Sequence, residues 1–137
     1  MLKKVVLALS LSASVAVSAF AEVAVIVHPE NTAEITAEDV SRMFLGKASQ
    51  FSDGKEVLPI TQETATTTDA FNTGLLNRSS SQVASYWAKQ VFTGKGSAPK
   101  QVSDDAAVIN LVKDNKNAIS YVDASSVTGD VKVVLTK

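Results

Sequence analysis

The chain contains no cysteine and only one histidine in 137 residues. Without cysteine there is no disulfide, no thiolate nucleophile or ligand, and no attachment point for a lipid at a processed N-terminus. A catalytic nucleophile needs a base within reach, and His28 is the sole imidazole available. No spaced cluster of ligating side chains marks a metal site either. The sequence therefore predicts no catalytic residue, no metal, no cofactor and no enzyme. Charge of one sign is also missing, with 13 basic residues against 14 acidic ones. That balance excludes the basic face that nucleic acid calls for and the polybasic patch that docks on anionic membrane. There is no internal repeat, low-complexity tract or linker.

What is present begins with residues 1–21. Lys3 and Lys4 precede an apolar stretch from Val5 to Val17, and Ser18-Ala19-Phe20-Ala21 follows. A basic start, a short apolar middle and a small-x-small ending form the pattern of a secretory signal peptide. The stretch falls short of the roughly 20 apolar residues of a membrane span. Cleavage after Ala21 is expected, giving a soluble, exported, periplasmic protein that starts at Glu22. Removing 21 of the 137 residues leaves 116, the size of one domain, over residues 22–137. Loss of Lys3 and Lys4 lowers the basic count from 13 to 11 against 14 acids, a net charge of −3.

In the remainder, strand and helix periodicities alternate. Glu22 to His28 is a β-branched run closed by Pro29. Thr36 followed by acids reads as a capped helix carrying Val40, Met43 and Phe44, stopped at Gly46. Val57 to Thr61 reads as a second strand, which Pro59 assigns to a sheet edge or a bulge. Thr64 to Leu76 reads as a helix weakened by threonines and Gly74. Ser79-Ser80-Ser81 caps the clearest helix, whose stripe of Val83, Tyr86, Trp87 and Val91 predicts Tyr86 and Trp87 as core residues. Gly96 to Val102 reads as a loop. Lys95 and Lys100 flank a Gly-rich loop as solvated charges, without the spacing of a nucleotide P-loop. A helix capped by Ser103, a strand from Ala118 to Val122, a turn and a last strand from Val131 to Leu135 complete the chain. Strands separated by helices predict an α/β fold, with a mostly parallel or mixed sheet flanked by helices.

Four segments in order carry a resemblance: Val25-Ile26-Val27-His28-Pro29-Glu30-Asn31, Met43-Phe44-Leu45-Gly46-Lys47, Tyr86-Trp87 through Phe92-Thr93-Gly94-Lys95-Gly96, and Ala118-Ile119-Ser120-Tyr121-Val122. Together they resemble phosphate-type periplasmic substrate-binding proteins, in particular the short, single-lobe phosphate ABC transporter substrate-binding proteins of the type II periplasmic-binding-protein-like class. The resemblance implies a single periplasmic-binding-protein-like lobe that binds a small oxyanion, phosphate first among them, in association with ABC-type uptake. In full-length members, a Ser-Gly-Thr turn between a strand and a helix holds the oxyanion through backbone N–H groups. A helix N-terminus suits an anion because it presents free donors and about half a positive charge. Aligned on Phe71, that turn falls on Ala65-Thr66-Thr67, with only Thr67 retained, and Ser120 stands where the family usually has glycine.

The resemblance thus places the ligand at Thr64, Ala65, Thr66, Thr67 and Thr68. His28, following the first strand, is the remaining candidate, with a structural role as its alternative. Glu63 could accept a hydrogen bond from a protonated anion, or occupy the helix N-terminus itself and exclude the ligand. Phosphate has five heavy atoms, so a ceiling of about 1.5 kcal/mol per atom limits binding to around micromolar. One lobe should bind weakly unless a homodimer or another protein completes the site. The alternative function is a periplasmic interaction or sensor-partner module that keeps the fold, lacks high-affinity ligand binding, and docks on a membrane transporter or sensor.

Overall fold

The computed structural model describes residues 22–137; the expected leader lies outside them. Five strands form one mixed sheet: β1 (Val23–Val27), β2 (Leu58–Gln62), β3 (Lys100–Val102), β4 (Ala118–Asp123) and β5 (Lys132–Thr136), in the order β3-β2-β4-β1-β5. β2 runs parallel to β3 and β4, while β1 runs antiparallel to β4 and β5. Four α-helices flank the sheet: α1 (Ala37–Phe44), α2 (Ala65–Phe71), α3 (Ser80–Phe92) and α4 (Asp105–Asp114). The expected α/β fold with a mixed sheet is what forms.

Alternation along the strands divides the interior in two. Val23, Val25 and Val27 of β1 join Ile119 and Tyr121 of β4 in a core with Phe44 of α1 and Phe71 of α2. Ala24 and Ile26 face the other way, with Ile60, Ala118 and Val122, and meet Val108 and Val112 of α4. Both faces of β1 are buried throughout, which is why its sequence is a continuous apolar run. In the first core, Phe71 stacks on Tyr121 with ring centroids 3.9 Å apart, and Phe44 meets Phe71 edge-on at 4.8 Å.

Capping fixes where helices begin. Thr36 and Asp39 exchange hydrogen bonds at the start of α1, as do Ser79 and Gln82 at the start of α3. The expected helix from Thr64 to Leu76 is two pieces. α2 ends at Phe71 and passes into a π-turn (Asn72–Leu76), where Gly74 weakens the α-helical ladder. α4 is capped by Asp104 rather than by Ser103.

Three expectations need correction. β2 is an interior strand, yet β3 begins opposite Ile60, so Pro59 pairs only with β4. Leu58 turns its N–H to β4 at the Asn117 carbonyl, so the Pro59 nitrogen faces the β3 side, where no partner strand has yet begun, and its missing N–H costs no ladder bond. The expected loop from Gly96 to Val102 contains β3. Trp87 and Tyr86 are half-buried, and α3 has no fully buried residue. The Trp87 indole leans on Gly46, where a Cβ would come within 2.9 Å of its Cη2, and Gly46 has φ +71°. The Tyr86 hydroxyl donates to the Leu45 carbonyl at 2.6 Å. The α3 stripe thus packs on the end of α1 and is only partly covered.

Candidate functional site

The parallel strands β2, β3 and β4 end at one edge of the sheet, at Gln62, Val102 and Asp123. The starts of α2 and α4 lie there. Ligands in open α/β sheets bind at such carboxyl edges. The Glu63 N–H donates to the Val102 carbonyl at 3.0 Å, tying the β2–α2 turn to β3.

A closed hydrogen-bond circuit fixes this turn from within. The Gln62 N–H donates to the Tyr121 hydroxyl at 3.4 Å, that hydroxyl lies 3.0 Å from Thr68 Oγ1, and Thr68 Oγ1 donates to the Gln62 carbonyl at 2.8 Å. Burial pushes the Tyr121 phenol above its usual range, against the opposing effect of its hydrogen-bond partners. The Gln62 side chain, 1% exposed, donates through Nε2 to Asp105 Oδ1 at 2.8 Å and to the Tyr121 carbonyl at 2.9 Å. Asp105 also accepts from Ser126 Oγ at 2.6 Å. Two strands and the start of α4 are joined through two side chains.

The candidate threonines occupy different environments. Thr64, the N-cap residue of α2, makes no capping bond, whereas the N-caps of α1, α3 and α4 all do. Thr64 Oγ1 instead reaches the Ser103 carbonyl at 3.5 Å. Ala65 and Thr66 are exposed, with their N–H groups in the first helical turn. Thr67 is buried, at 4% exposure, and Thr68 belongs to the circuit. The backbone donors of this turn are therefore open, while two of its hydroxyl side chains face inward.

His28 does not join them. It follows Val27, which pairs with Ile119 and Lys132 at the opposite edge of the sheet. Its Nδ1 accepts from the Glu30 N–H at 3.0 Å, closing a local turn. β1 runs antiparallel to β4, so the end of β1 lies far from the end of β2. Lysines gather at that distant edge, where Lys55 and Lys116 line a cavity of about 170 Å³ with Glu30 and Asp53. Lys116 pairs with Glu30 at 2.8 Å and holds its carboxyl below the usual range.

The edge with the open donors is acidic: Glu63, Asp104, Asp105 and Asp123 lie on the segments that meet there. The Ser125 hydroxyl and N–H hold the Asp123 carboxyl below its ordinary value. Ser120 is accommodated by turning toward α4's side of the sheet, where its hydroxyl donates to the Ile60 carbonyl at 2.6 Å. The buried network of Gln62, Asp105, Tyr121 and Ser126 was not evident from sequence spacing, because its hydrogen-bonded partners lie up to 59 residues apart.

Several solved substrate-binding proteins share this arrangement of elements. A phosphate ABC transporter substrate-binding protein of Clostridium perfringens, solved with bound phosphate, matches with TM-score 0.64 and 19% identity, over 84% of this chain and 45% of its own. The fold is that of a little under half of this protein. An ABC-type phosphate transport receptor of Vibrio cholerae matches at TM-score 0.56 and 15% identity, over 84% of this chain and 46% of its own. PstS of Borrelia burgdorferi matches at TM-score 0.58 and 15% identity, over 84% and 47%. The present chain thus spans less than half the length of these phosphate-type relatives. No family model and no curated protein matches the sequence. Among the described residues, no helix is long and apolar enough to cross a membrane, and no group of three ligating side chains could hold a metal ion.

Proposed function

We propose that this chain is an exported, non-enzymatic binding module for a small oxyanion, phosphate foremost, working with an ABC-type transporter. The observation that carries the reading is the uncapped start of α2 at the carboxyl edge of the parallel strands. The N–H groups of Ala65, Thr66 and Thr67 are the donors, and the circuit through Thr68 and Tyr121 holds them in place. Likeness to phosphate-binding proteins supports the choice of ligand, and the leader pattern supports export to the periplasm. Calorimetric titration with phosphate, sulfate and a carboxylate tests the choice. Amide chemical shifts test the place. Shifts at residues 63–68 support the reading, and their absence at millimolar phosphate defeats it.

The acidic residues at the same edge favour a second reading. Glu63 begins the turn, and a fixed carboxylate near the helix N-terminus can take the place of an anionic ligand. On that reading the chain is an interaction module that keeps the fold and docks on a membrane transporter or sensor.

A further inference from the structure

β3 is the outermost strand on the β2 side of the sheet. One hydrogen bond fixes which way its backbone points. The Val102 carbonyl accepts from the Glu63 N–H, so the polar backbone groups of Val102 face β2. In a strand these groups alternate sides from residue to residue. The N–H and carbonyl of Gln101 therefore point away from the sheet, and Gln101 is exposed. Among the described residues they have no partner. An edge of this kind is a template for a further strand.

Charge is sorted along the same edge. Lys95 and Lys100 lie before and at the start of β3, while Asp104 follows its end and Glu63 is tied to Val102. All four are exposed, and the salt bridge found among the described residues, Lys116 to Glu30, involves none of them. An identical strand added in parallel would set lysine beside lysine and carboxylate beside carboxylate. Added antiparallel, it sets the lysines of each copy against the carboxylates of the other, twice over, about a two-fold axis. A short edge strand that begins with lysine discourages unrelated strands. A second copy running the opposite way supplies the carboxylates that the lysines lack.

α3 adds apolar surface beside this edge. Ala84, Trp87 and Val91 recur at spacings of three and four, which places them on one line of the helix. Ala84 and Trp87 line a cavity with Pro99 and Gln101, so that line borders β3. Ala84 and Val91 are exposed, and Trp87 is half-buried.

We propose that β3 and the adjoining line of α3 form a two-fold contact with a second copy of this chain, β3 against β3 antiparallel. Two five-stranded sheets then become one. With Gln101 opposite Gln101, Lys100 of one copy lies opposite Val102 of the other and diagonal to its Asp104. β2 is two strand spacings away, roughly 10 Å. The same lysine therefore comes toward Glu63 and the start of α2, an edge whose own charges are negative.

Sedimentation equilibrium in phosphate-free, low-salt buffer tests this apart from the oxyanion reading, on which it does not depend. A dimer should form at roughly millimolar protein or below, and added salt should weaken it several-fold as the charges are screened. The Gln101 amide should exchange with deuterium at least about tenfold more slowly in concentrated than in dilute protein. Lys100→Glu sets carboxylate against carboxylate twice in each dimer and should weaken it at least about tenfold, with unchanged circular dichroism. Glu63→Lys should also weaken it. An equimolar mixture of the two variants restores opposite charges across the axis, and should form a mixed dimer more tightly than either variant forms its own. A monomer at millimolar concentration, a dimer indifferent to both reversals, a mixture no tighter than its components, or a Gln101 amide whose exchange ignores protein concentration would overturn the proposal.

Discussion

Glu63 decides how far the open N–H groups of α2 can serve an anion. It is exposed, it directly precedes Thr64, the N-cap residue of α2, and its own N–H is committed to Val102. Two unit charges about 5 Å apart in water repel by about 1 kcal/mol. Glu63→Gln should therefore tighten phosphate binding about fivefold, as read by calorimetry. Unchanged affinity would show that the anion binds elsewhere. Tyr121 gives a second residue-scale test. Its phenol lies above the ordinary value of 10.0 because burial opposes ionisation. A raised pKa in the folded state means the stability is complete below the unfolded value and is lost as pH rises through the folded one. Unfolding should therefore become easier above about pH 10. Tyr121→Phe should flatten that alkaline limb while costing about 1–3 kcal/mol at neutral pH, because Thr68 and Gln62 lose their partner. Denaturant midpoints measured against pH separate the two effects.

At the scale of elements, α3 shows where local pattern and global packing part. Its stripe of Val83, Tyr86, Trp87 and Val91 was legible from spacing alone, as were its cap and its end. The cover over that stripe was not, because depth depends on how much chain lies outside the helix. Val91 is 54% exposed and Phe92 is 92% exposed. β3 was missed for a related reason. Lys100-Gln101-Val102 has no strand pattern of its own, and pairing with Ile60-Thr61-Gln62, 40 residues earlier, makes it a strand. β1, β4 and α1 were legible because each is strongly patterned or capped within its own span. The threonine turn could be placed between a strand and a helix, but strand direction set which edge it shared. That direction moved His28 to the far side and brought Asp105 and Ser126 near instead. The contact of α3 with α1 yields a prediction. Gly46→Ala puts a Cβ at positive φ and against the Trp87 indole, so it should cost about 1–3 kcal/mol. Trp87→Ala should cost less than the roughly 3–5 kcal/mol of a fully buried tryptophan. Combined, the two should destabilise by less than their sum, because removing the indole relieves the clash. Additive costs in denaturant unfolding would place the whole Gly46 effect in the backbone.

For the whole molecule, length governs affinity. The chain covers 45% of the Clostridium perfringens protein and 46% of the Vibrio cholerae one, so the proposed site rests on one edge of one sheet. A helix N-terminus offers an anion about 0.3–2 kcal/mol, and the cluster of carboxylates takes some of that back. Binding to one copy is expected in the millimolar range. At that affinity, phosphate at about ten times Kd stabilises the folded state by about 1.4 kcal/mol. For a domain of this size the melting temperature should rise by about 5 °C. Sulfate at equal ionic strength controls for salt. If a second copy closes the site, phosphate and self-association are linked, and each strengthens the other by the same factor. The phosphate-dependent shift in melting temperature should then grow with protein concentration, and sedimentation velocity should show a faster species when phosphate is added. A shift independent of protein concentration would mean that the site is complete in one copy. No shift with phosphate beyond that with sulfate would favour the interaction module, whose acidic edge would then be a docking surface for a membrane partner.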